Sequence, residues 1–564
     1  MIRLLIAFVT LLLPSALAAQ GAVSSADPRA TQAGQEILRQ GGSAVDAAMA
    51  MMLALTVVEP QSSGIGGGGF LIHHDAHTGL IDTIDGREKA PAAATQDRFL
   101  GVDGQPVPYM VAIAGGKSVG VPGNIRLMAK AHDKWGKLPW KALFQPAIRL
   151  ADQGFDVTRP LAGASARLSP VWLGNKADSP IQGSFPETAK LYAPGGKPLT
   201  EGQRLRNPAL AKTLRKIADD GADAFYTGDN AAALVKAVTG TKVSPSDMTT
   251  ADIAAYEAKE RPAVCSPYRQ WRVCGMGPPS SGATTVFQIL GMLERFDLKR
   301  LGKDNPVSWH LIGEAMMLAY ADREMYLADR DFVTVPVAGL LDPAYMAKRS
   351  RLISPSRTIG AYTAGKPAGA PERIRAVQNE VPSTTHFVAI DRDGDVATMT
   401  STIEGPFGSQ LIAGGYALNN ELTDFTRAPV DDGHLVANRV EGGKRPLSSM
   451  SPTIVYDASG KPVFTVGAAG GKTIIMQVAK AIVAHLDWGL PAREALGEGL
   501  VYFNDAGLVL ERGTAREALK PALERLGHTV TIAPLGLKAN AAERTASGWV
   551  GAADPRSVGT ALGE

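Results

Sequence analysis

The reading turns on one stretch: Pro382-Ser383-Thr384-Thr385-His386-Phe387-Val388-Ala389-Ile390, then Asp391-Arg392-Asp393-Gly394, then Asp395-Val396-Ala397-Thr398-Met399-Thr400-Ser401-Thr402. β-Branched and apolar residues on both sides predict two strands, and Asp393-Gly394 is a strong hairpin signal between them. Folding about residue 393 sets Thr384 opposite Thr402 within a residue of register, so two hydroxyls meet across the hairpin. A threonine hydroxyl is a poor nucleophile until a base takes its proton, and an N-terminal threonine carries such a base in its own α-amine. Upstream, Ser354 to Ser383 is a Gly/Pro/Ala-rich connection with little periodicity, a length at which loops are functional or disordered more often than not. Pattern alone also allows a plainer reading. Thr pairs are ordinary stabilisers of sheets, and His386, two residues along on the same face, reads equally well as a strand histidine.

Composition removes several classes. Hydrophobic residues make up 45% and charged residues 20% of the 564, an ordinary globular balance. The net charge of +3 is small, and Lys and Arg are scattered without aromatic interleaving, which excludes a nucleic-acid groove. At the N-terminus Arg3 precedes an apolar run from Leu4 to Leu13, followed by Pro14 and Ala16-Leu17-Ala18. That is the order of a secretory signal peptide, 1–18, ending in an A-x-A site. The run is too short for a membrane anchor, and no other apolar stretch approaches spanning length. The expectation is an exported protein, periplasmic or secreted, with no membrane span. Cys265 and Cys274 flank a segment with Arg269-Gln270 at its midpoint. If it turns there, the two face each other and an oxidising compartment allows a disulfide; two buried thiols are the alternative. Both readings are structural, because two isolated cysteines do not make a tetrahedral metal site.

Helical spacing marks Ala30 to Arg39, with Gly41-Gly42 as its stop; Ser43 is a plausible N-cap for Ala44 to Val58, apolar nearly all round. Glu59-Pro60 then leads into Gly64-Ile65-Gly66-Gly67-Gly68-Gly69 and the strand-like Phe70 to His74. A phosphate-cradling loop lies between strand and helix, whereas the order here is helix, glycines, strand. Close backbone packing or amide contact with a ligand suits these glycines better. Leu138 to Gly154, Val307 to Asp329 and Ile474 to Leu486 read as further helices, and the methionines of the second as core filler. His73, His74, Asp75 and His77 are ligand-like residues, but no complete metal set is evident and a polar hairpin end is the better reading.

Thr384-Thr385-His386-Phe387 resembles the processing site of the γ-glutamyltranspeptidase family of N-terminal-nucleophile hydrolases. Distant blocks agree in order: Gly41-Gly42-Ser43-Ala44-Val45-Asp46-Ala47-Ala48, Gly86-Arg87-Glu88-Lys89-Ala90-Pro91, Gly120-Val121-Pro122-Gly123, Pro278-Pro279-Ser280-Ser281-Gly282 and Ala319-Tyr320-Ala321-Asp322-Arg323. After the hairpin come Leu418-Asn419-Asn420-Glu421, Arg445-Pro446-Leu447-Ser448-Ser449-Met450, Gly470-Gly471 and Gly551-Ala552-Ala553-Asp554-Pro555-Arg556. The resemblance implies an α+β fold, a four-layer αββα sandwich. It implies a precursor cut between Ser383 and Thr384 into a large subunit, 19–383, and a small one, 384–564, that form one co-folded unit. Thr384 would then attack the γ-carbonyl of a γ-glutamyl substrate, Thr402 would hold its oxygen, and amides at Gly470 and Gly471 would form the oxyanion hole. Donors of that kind typically contribute ~3–4 kcal/mol each.

The substrates implied are a small γ-glutamyl donor, such as glutathione, and water, an amino acid or a peptide as acceptor, with no cofactor and no metal. Arg87, Ser448 and Ser449 would bind the donor's α-carboxylate and Glu421 and Asp424 its α-ammonium. The sequence departs from the family at Glu404, where Asn is common, at Lys472 after the glycine pair, at Ala468-Ala469 in place of Ser-Pro, and in a short Asp424–Ser448 segment. Glu404 adds a third carboxylate to the ammonium site, and the short segment implies a more open acceptor side. Two other readings stand beside this one: a glutaryl-type acylase or other γ-linked amidase using the same threonine, and a non-catalytic secreted binding protein. The acylase reading leaves two carboxylates unpaired, and the binding-protein reading expects loss of the nucleophile or the glycine pair, both of which are present.

Overall fold

The computed structural model describes residues 21–176, 179–375, 383–431, 433–504 and 506–564, so the expected leader, 1–18, and Pro382 lie outside the described residues. Two antiparallel sheets form its centre. Strands are numbered β1 (Ala22–Ser25), β2 (Gly68–His74), β3 (Ile81–Gly86), β4 (Lys259–Pro262), β5 (Val264–Tyr268), β6 (Trp271–Gly275), β7 (Thr385–Ile390), β8 (Val396–Thr402), β9 (Thr453–Tyr456), β10 (Pro462–Ala469), β11 (Lys538–Thr545), β12 (Gly548–Ala553) and β13 (Thr560–Gly563). The first sheet has the order β13-β1-β7-β8-β2-β3-β4 and the second β12-β11-β10-β9-β6-β5.

Between the sheets lies an apolar layer that includes Ile72, Val388, Ile390, Val396, Ile454 and Trp549. On the outer face of the first sheet, α1 (Pro28–Arg39), α2 (Ala44–Val58) and α3 (Trp140–Gln153) build one core; on the outer face of the second, α4 (Gly282–Leu293), α5 (Pro306–Tyr326) and α6 (Thr473–Leu486) build another. Helix, sheet, sheet, helix is the expected αββα order. Sequence accounts for the local choices. Ser43 caps α2 in a complete capping box with Asp46, and every residue of α2 is buried, as its all-round apolar pattern requires. Pro28 and Pro306 sit at the first positions of α1 and α5, where the missing amide costs nothing, so these helices begin slightly earlier than periodicity alone predicts. Among the described residues no helix is long and apolar enough to cross a membrane.

The glycine cluster packs backbone against backbone. A Cβ on Gly66 would stand 2.1 Å from the Ala417 carbonyl oxygen, and one on Gly67 2.0 Å from that of Thr402. Only glycine fits there. The histidine-rich end of β2 forms no cluster: His73 stacks on Trp135 with ring centres 4.3 Å apart, His74 meets the Tyr456 ring edge-on, and Asp75 accepts from the amides of His77 and Thr78 to close the turn.

Cys265 and Cys274 face each other across β5 and β6, which turn at Arg269 (φ +54°), and form a disulfide with Cα atoms 4.1 Å apart. Closing so small a loop stabilises by about 2–3 kcal/mol in the chain-entropy picture. Replacing Cys265 by Ser and Cys274 by Ala together is expected to lower unfolding stability by that amount in a urea titration. An unchanged midpoint would show that the bridge is energetically idle.

Candidate active site

The register of the first sheet builds the site. β7 and β8 pair with Thr385 opposite Ser401 and His386 opposite Thr400, which continues to Thr384 opposite Thr402. The Thr384 hydroxyl donates to Thr402 Oγ1 at 3.1 Å, and the Glu404 amide donates to the same oxygen at 2.8 Å. Thr384 is 5% exposed. Its φ is +128°, a region that β-branched residues rarely occupy, so the bond next to the Ser383–Thr384 peptide is held under strain of roughly 1–3 kcal/mol. The Ser383 hydroxyl donates to the Gln61 carbonyl at 2.6 Å.

His386 is structural. Its ring lies between Thr400 Oγ1 at 2.8 Å and Thr398 Oγ1 at 3.1 Å, and burial pushes its pKa down to about 3, so it stays neutral. Gly467 on β10 makes room for it: a Cβ there would sit 2.3 Å from the ring. This close approach ties the two sheets together beside Thr384.

Two cavities meet at Thr384. One is a polar space of only about 20 Å³, lined by Thr384 and Thr402 together with Arg87, Glu404, Glu421, Asp424, Ser448, Ser449 and Gly471. The other, about 300 Å³, opens on the side of Ser383 and Gly470 and reaches Gln61 and Lys538. The glycine pair sits at the turn from β10 into α6, with φ of +131° at Gly470 and +58° at Gly471. Thr473 fixes this turn, its hydroxyl donating to the Gly470 carbonyl at 2.8 Å.

The small cavity is small because its charges hold one another. Arg87, 1% exposed, donates from Nη1 to Glu421 and from Nη2 to Asp424 at 2.5 Å, and further to the carbonyls of Pro446 and Leu447 at 3.2 and 3.0 Å. Groups expected to grip opposite ends of a substrate are thus paired directly. Glu404 lies in the same space and accepts from Asn420 Nδ2 at 2.5 Å. Ser449 Oγ accepts from Arg323 at 2.8 Å, while Arg323 Nε donates to Ser281 Oγ, and the Ser448 carbonyl accepts from Ser281.

Glu88, beside Arg87, is fully buried, and burial lifts its carboxyl to about 7; burial holds Glu421 well above the ordinary carboxylate range, against the pull of Arg87. Burial opposes the charge on Arg87 as well, but Glu421 and Asp424 outweigh it and raise its pKa. The roles of Glu88, Asn420 and Arg323 escape sequence reasoning although all three fall in quoted blocks, because nothing in a run of residues says which side chain turns inward.

Comparison with known proteins gives the family and the fold. Residues 30–564 match the family described as Gamma-glutamyltranspeptidase. The glutathione hydrolase proenzyme of Bacillus subtilis strain 168 is 36% identical, over 96% of this chain and 91% of that protein. The Acylase ACY 1 proenzyme of Pseudomonas sp. strain SE83 is 34% identical, over 91% of this chain and 88% of its own. Among solved structures, cephalosporin acylase from Bacillus halodurans superposes with a TM-score of 0.84 at 25% identity, covering 99% of both chains. The fold is that of the N-terminal-nucleophile hydrolases. With a family match that runs from residue 30 to the last residue, this chain belongs to the γ-glutamyltranspeptidase family.

Proposed function

We propose that the protein is a self-processing γ-glutamyltransferase that cleaves γ-glutamyl amides such as glutathione through an acyl-enzyme on Thr384. One observation carries the reading: the Thr384 hydroxyl, bonded to Thr402, opens into the cavity that also holds Arg87, Glu421, Asp424 and both serines. In the precursor the Thr384 hydroxyl attacks the Ser383 carbonyl, the peptide nitrogen takes the proton and becomes the α-amine, and water hydrolyses the ester. Strain at Thr384 favours this cut, because φ is released with the peptide bond. The freed amine is then the base for the second reaction. It takes the hydroxyl proton as Oγ1 attacks the γ-carbonyl, and amides at Gly470 and Gly471 stabilise the oxyanion. Collapse returns the proton to the leaving amine, which departs on the side of the larger cavity. Water or an incoming amine then resolves the ester.

A donor must first open the small cavity. Its α-carboxylate replaces Glu421 and Asp424 on Arg87, and its α-ammonium takes up the carboxylates so released. A substrate with both charges exchanges one paired set for another, whereas a glutaryl donor brings only the carboxylate and strands the acids. Glu404 sharpens this difference. Relatives named as acylases keep the glutaryl alternative in view, and the acid-rich lining favours the amine-bearing donor over it.

Purified protein is expected to resolve on a denaturing gel into two fragments, with Thr384 as the N-terminus of the smaller. Thr384→Ala should stay intact and inactive; a cut elsewhere, or activity without a cut, would overturn the mechanism. Comparing anilides, γ-glutamyl should exceed glutaryl by at least about 100-fold in kcat/KM, a ratio expected of a site left with unpaired polar groups. Glu404→Asn should shrink that ratio by about tenfold, and equal rates in the wild type would refute the donor assignment.

Stability should also report the buried acids. Glu88 and Glu421 both favour the protonated form when folded, so their contribution is full below the ordinary carboxylate pKa; that of Glu88 is lost as pH rises through about 7, and that of Glu421 as pH rises through its own raised pKa. The melting temperature of Thr384→Ala is therefore expected to fall between pH 5 and 8. Glu88→Gln in that background should flatten the slope, and an unaltered slope would mean that Glu88 is ionised throughout.

A further inference from the structure

His310, Glu314 and His528 lie outside everything described so far. The first two are one turn apart on α5, and the third follows Gly527 at a tight turn in the C-terminal part of the chain. All three are buried, and one ligating atom from each lies within 4.8 Å of the others. His310 Nδ1 stands 2.6 Å from His528 Nε2, which is 3.8 Å from Glu314 Oε1. His310 Nε2 is 2.7 Å from the Ser354 carbonyl, an acceptor only, so that nitrogen carries the proton and Nδ1 presents its lone pair inward. Glu314 is turned toward the pair by Thr358, Tyr362 and the Ile359 amide, at 2.8, 2.5 and 3.0 Å. Among the described residues no lysine or arginine forms an ion pair with it. A buried carboxylate without a cationic side chain is costly unless something else neutralises it.

We propose that these three residues bind a divalent transition ion, with zinc the best fit to two imidazoles and one carboxylate. The surroundings are those of a metal site. A carbonyl fixes the outer nitrogen of one histidine, and two hydroxyls and an amide orient the carboxylate. The proton on His528 Nε2 moves to Nδ1, so both rings bind as neutral imidazoles. Zinc–nitrogen bonds of about 2.0–2.1 Å set tetrahedral ligands about 3.3 Å apart, so the imidazole nitrogens must separate by somewhat under 1 Å, the carboxylate must close on His528 by less, and its distance to His310, already within 4.8 Å, must shorten to match. A cavity of about 350 Å³ lined by His528, Thr358 and Tyr362 gives the ion a route from solvent and a water access to the fourth position.

The site also spans the chain. His310 and Glu314 precede residue 384 and His528 follows it, so a bound ion would clamp the two sides of the proposed cut. This inference does not depend on the proposed reaction, because the site lies apart from the Thr384 cavities.

The test uses untagged full-length protein stripped with a chelator. Titration with Co²⁺ is expected to give one equivalent bound, with visible d–d absorption of low coordination number, displaced by Zn²⁺. His528→Gln and Glu314→Gln should each weaken binding by at least about 100-fold, and His434→Gln, an exposed control, should not. Absorption spectroscopy at the zinc edge on the loaded wild type is expected to count two imidazoles, and it decides the question even if a variant fails to fold. Binding of less than 0.2 equivalents at about 10 µM Zn²⁺, loss of the imidazole count, or unchanged affinity in both variants would overturn the proposal.

Discussion

The register of β2, β8 and β7 is the constraint on which the rest depends. Side chains alternate with period two, so a slip of one residue would turn Thr384 to the helix face and bury its hydroxyl among apolar groups. Two neighbours hold the register. Asp393-Gly394 sets the turn between β7 and β8, and β2 pairs along the other edge of β8 from Val396–His74 to Thr402–Gly68. The glycines before β2 matter for the same reason: any side chain at Gly67 would push the Thr402 backbone away from its place opposite Thr384. The hydroxyl pair is therefore a product of sheet geometry, and the chemistry is imposed on a position that sheet packing already fixes.

The ion cluster around Arg87 needs a different account. Taking an arginine and several carboxylates out of water costs more than their mutual attraction repays in many proteins, so the cluster is weak evidence for stability. Four acids, Glu88, Glu404, Glu421 and Asp424, crowd one guanidinium, and burial keeps at least two of them well above their ordinary pKa. A set of charges this unbalanced is poorly suited to holding a fold and well suited to receiving a second cation. In the proposed reading, the direct Arg87–Asp424 and Arg87–Glu421 pairs would offset part of that cost until a zwitterionic donor replaced them.

Local rules made much of this legible. The capping box at Ser43, the all-apolar helix after it, the Asp393-Gly394 turn and the cysteine hairpin are each decided by residues close in sequence, and the structure has each where the pattern predicts it. The sequence blocks that carry the family resemblance also contain most of the residues that line the small Thr384 cavity. What sequence could not show is which of two neighbours faces inward, as with Glu88 beside Arg87, or what lies across a sheet, as with Gly467 over His386. The His310–His528 contact, 218 residues apart, has no local signal at all. By contrast, His73, Asp75 and His77 look like ligands because they alternate, yet the His73 ring is stacked on Trp135 and Asp75 closes a turn by accepting from the His77 amide.

Strand order explains how a chain could be cut next to its own nucleophile and keep its shape. In the first sheet β1, from the N-terminal side of residue 384, lies between β13 and β7 from the C-terminal side, while β8 pairs with β2. In the second sheet β9 pairs with β6, again across the proposed cut. Breaking the Ser383–Thr384 bond would therefore leave these interlocking ladders intact, with all three apolar cores fed from both sides. The long connection before the cut is fastened separately. Its residues 354 to 365 are held along α5 by His310, Glu314 and Asp322, and Arg375 reaches Glu324, which also pairs with Lys472 beside the glycine turn. At the other end of the connection, Thr384, the proposed nucleophile, has a strained φ of +128°. Lys472, which follows the glycine pair, donates to the same Glu324 at 3.2 Å.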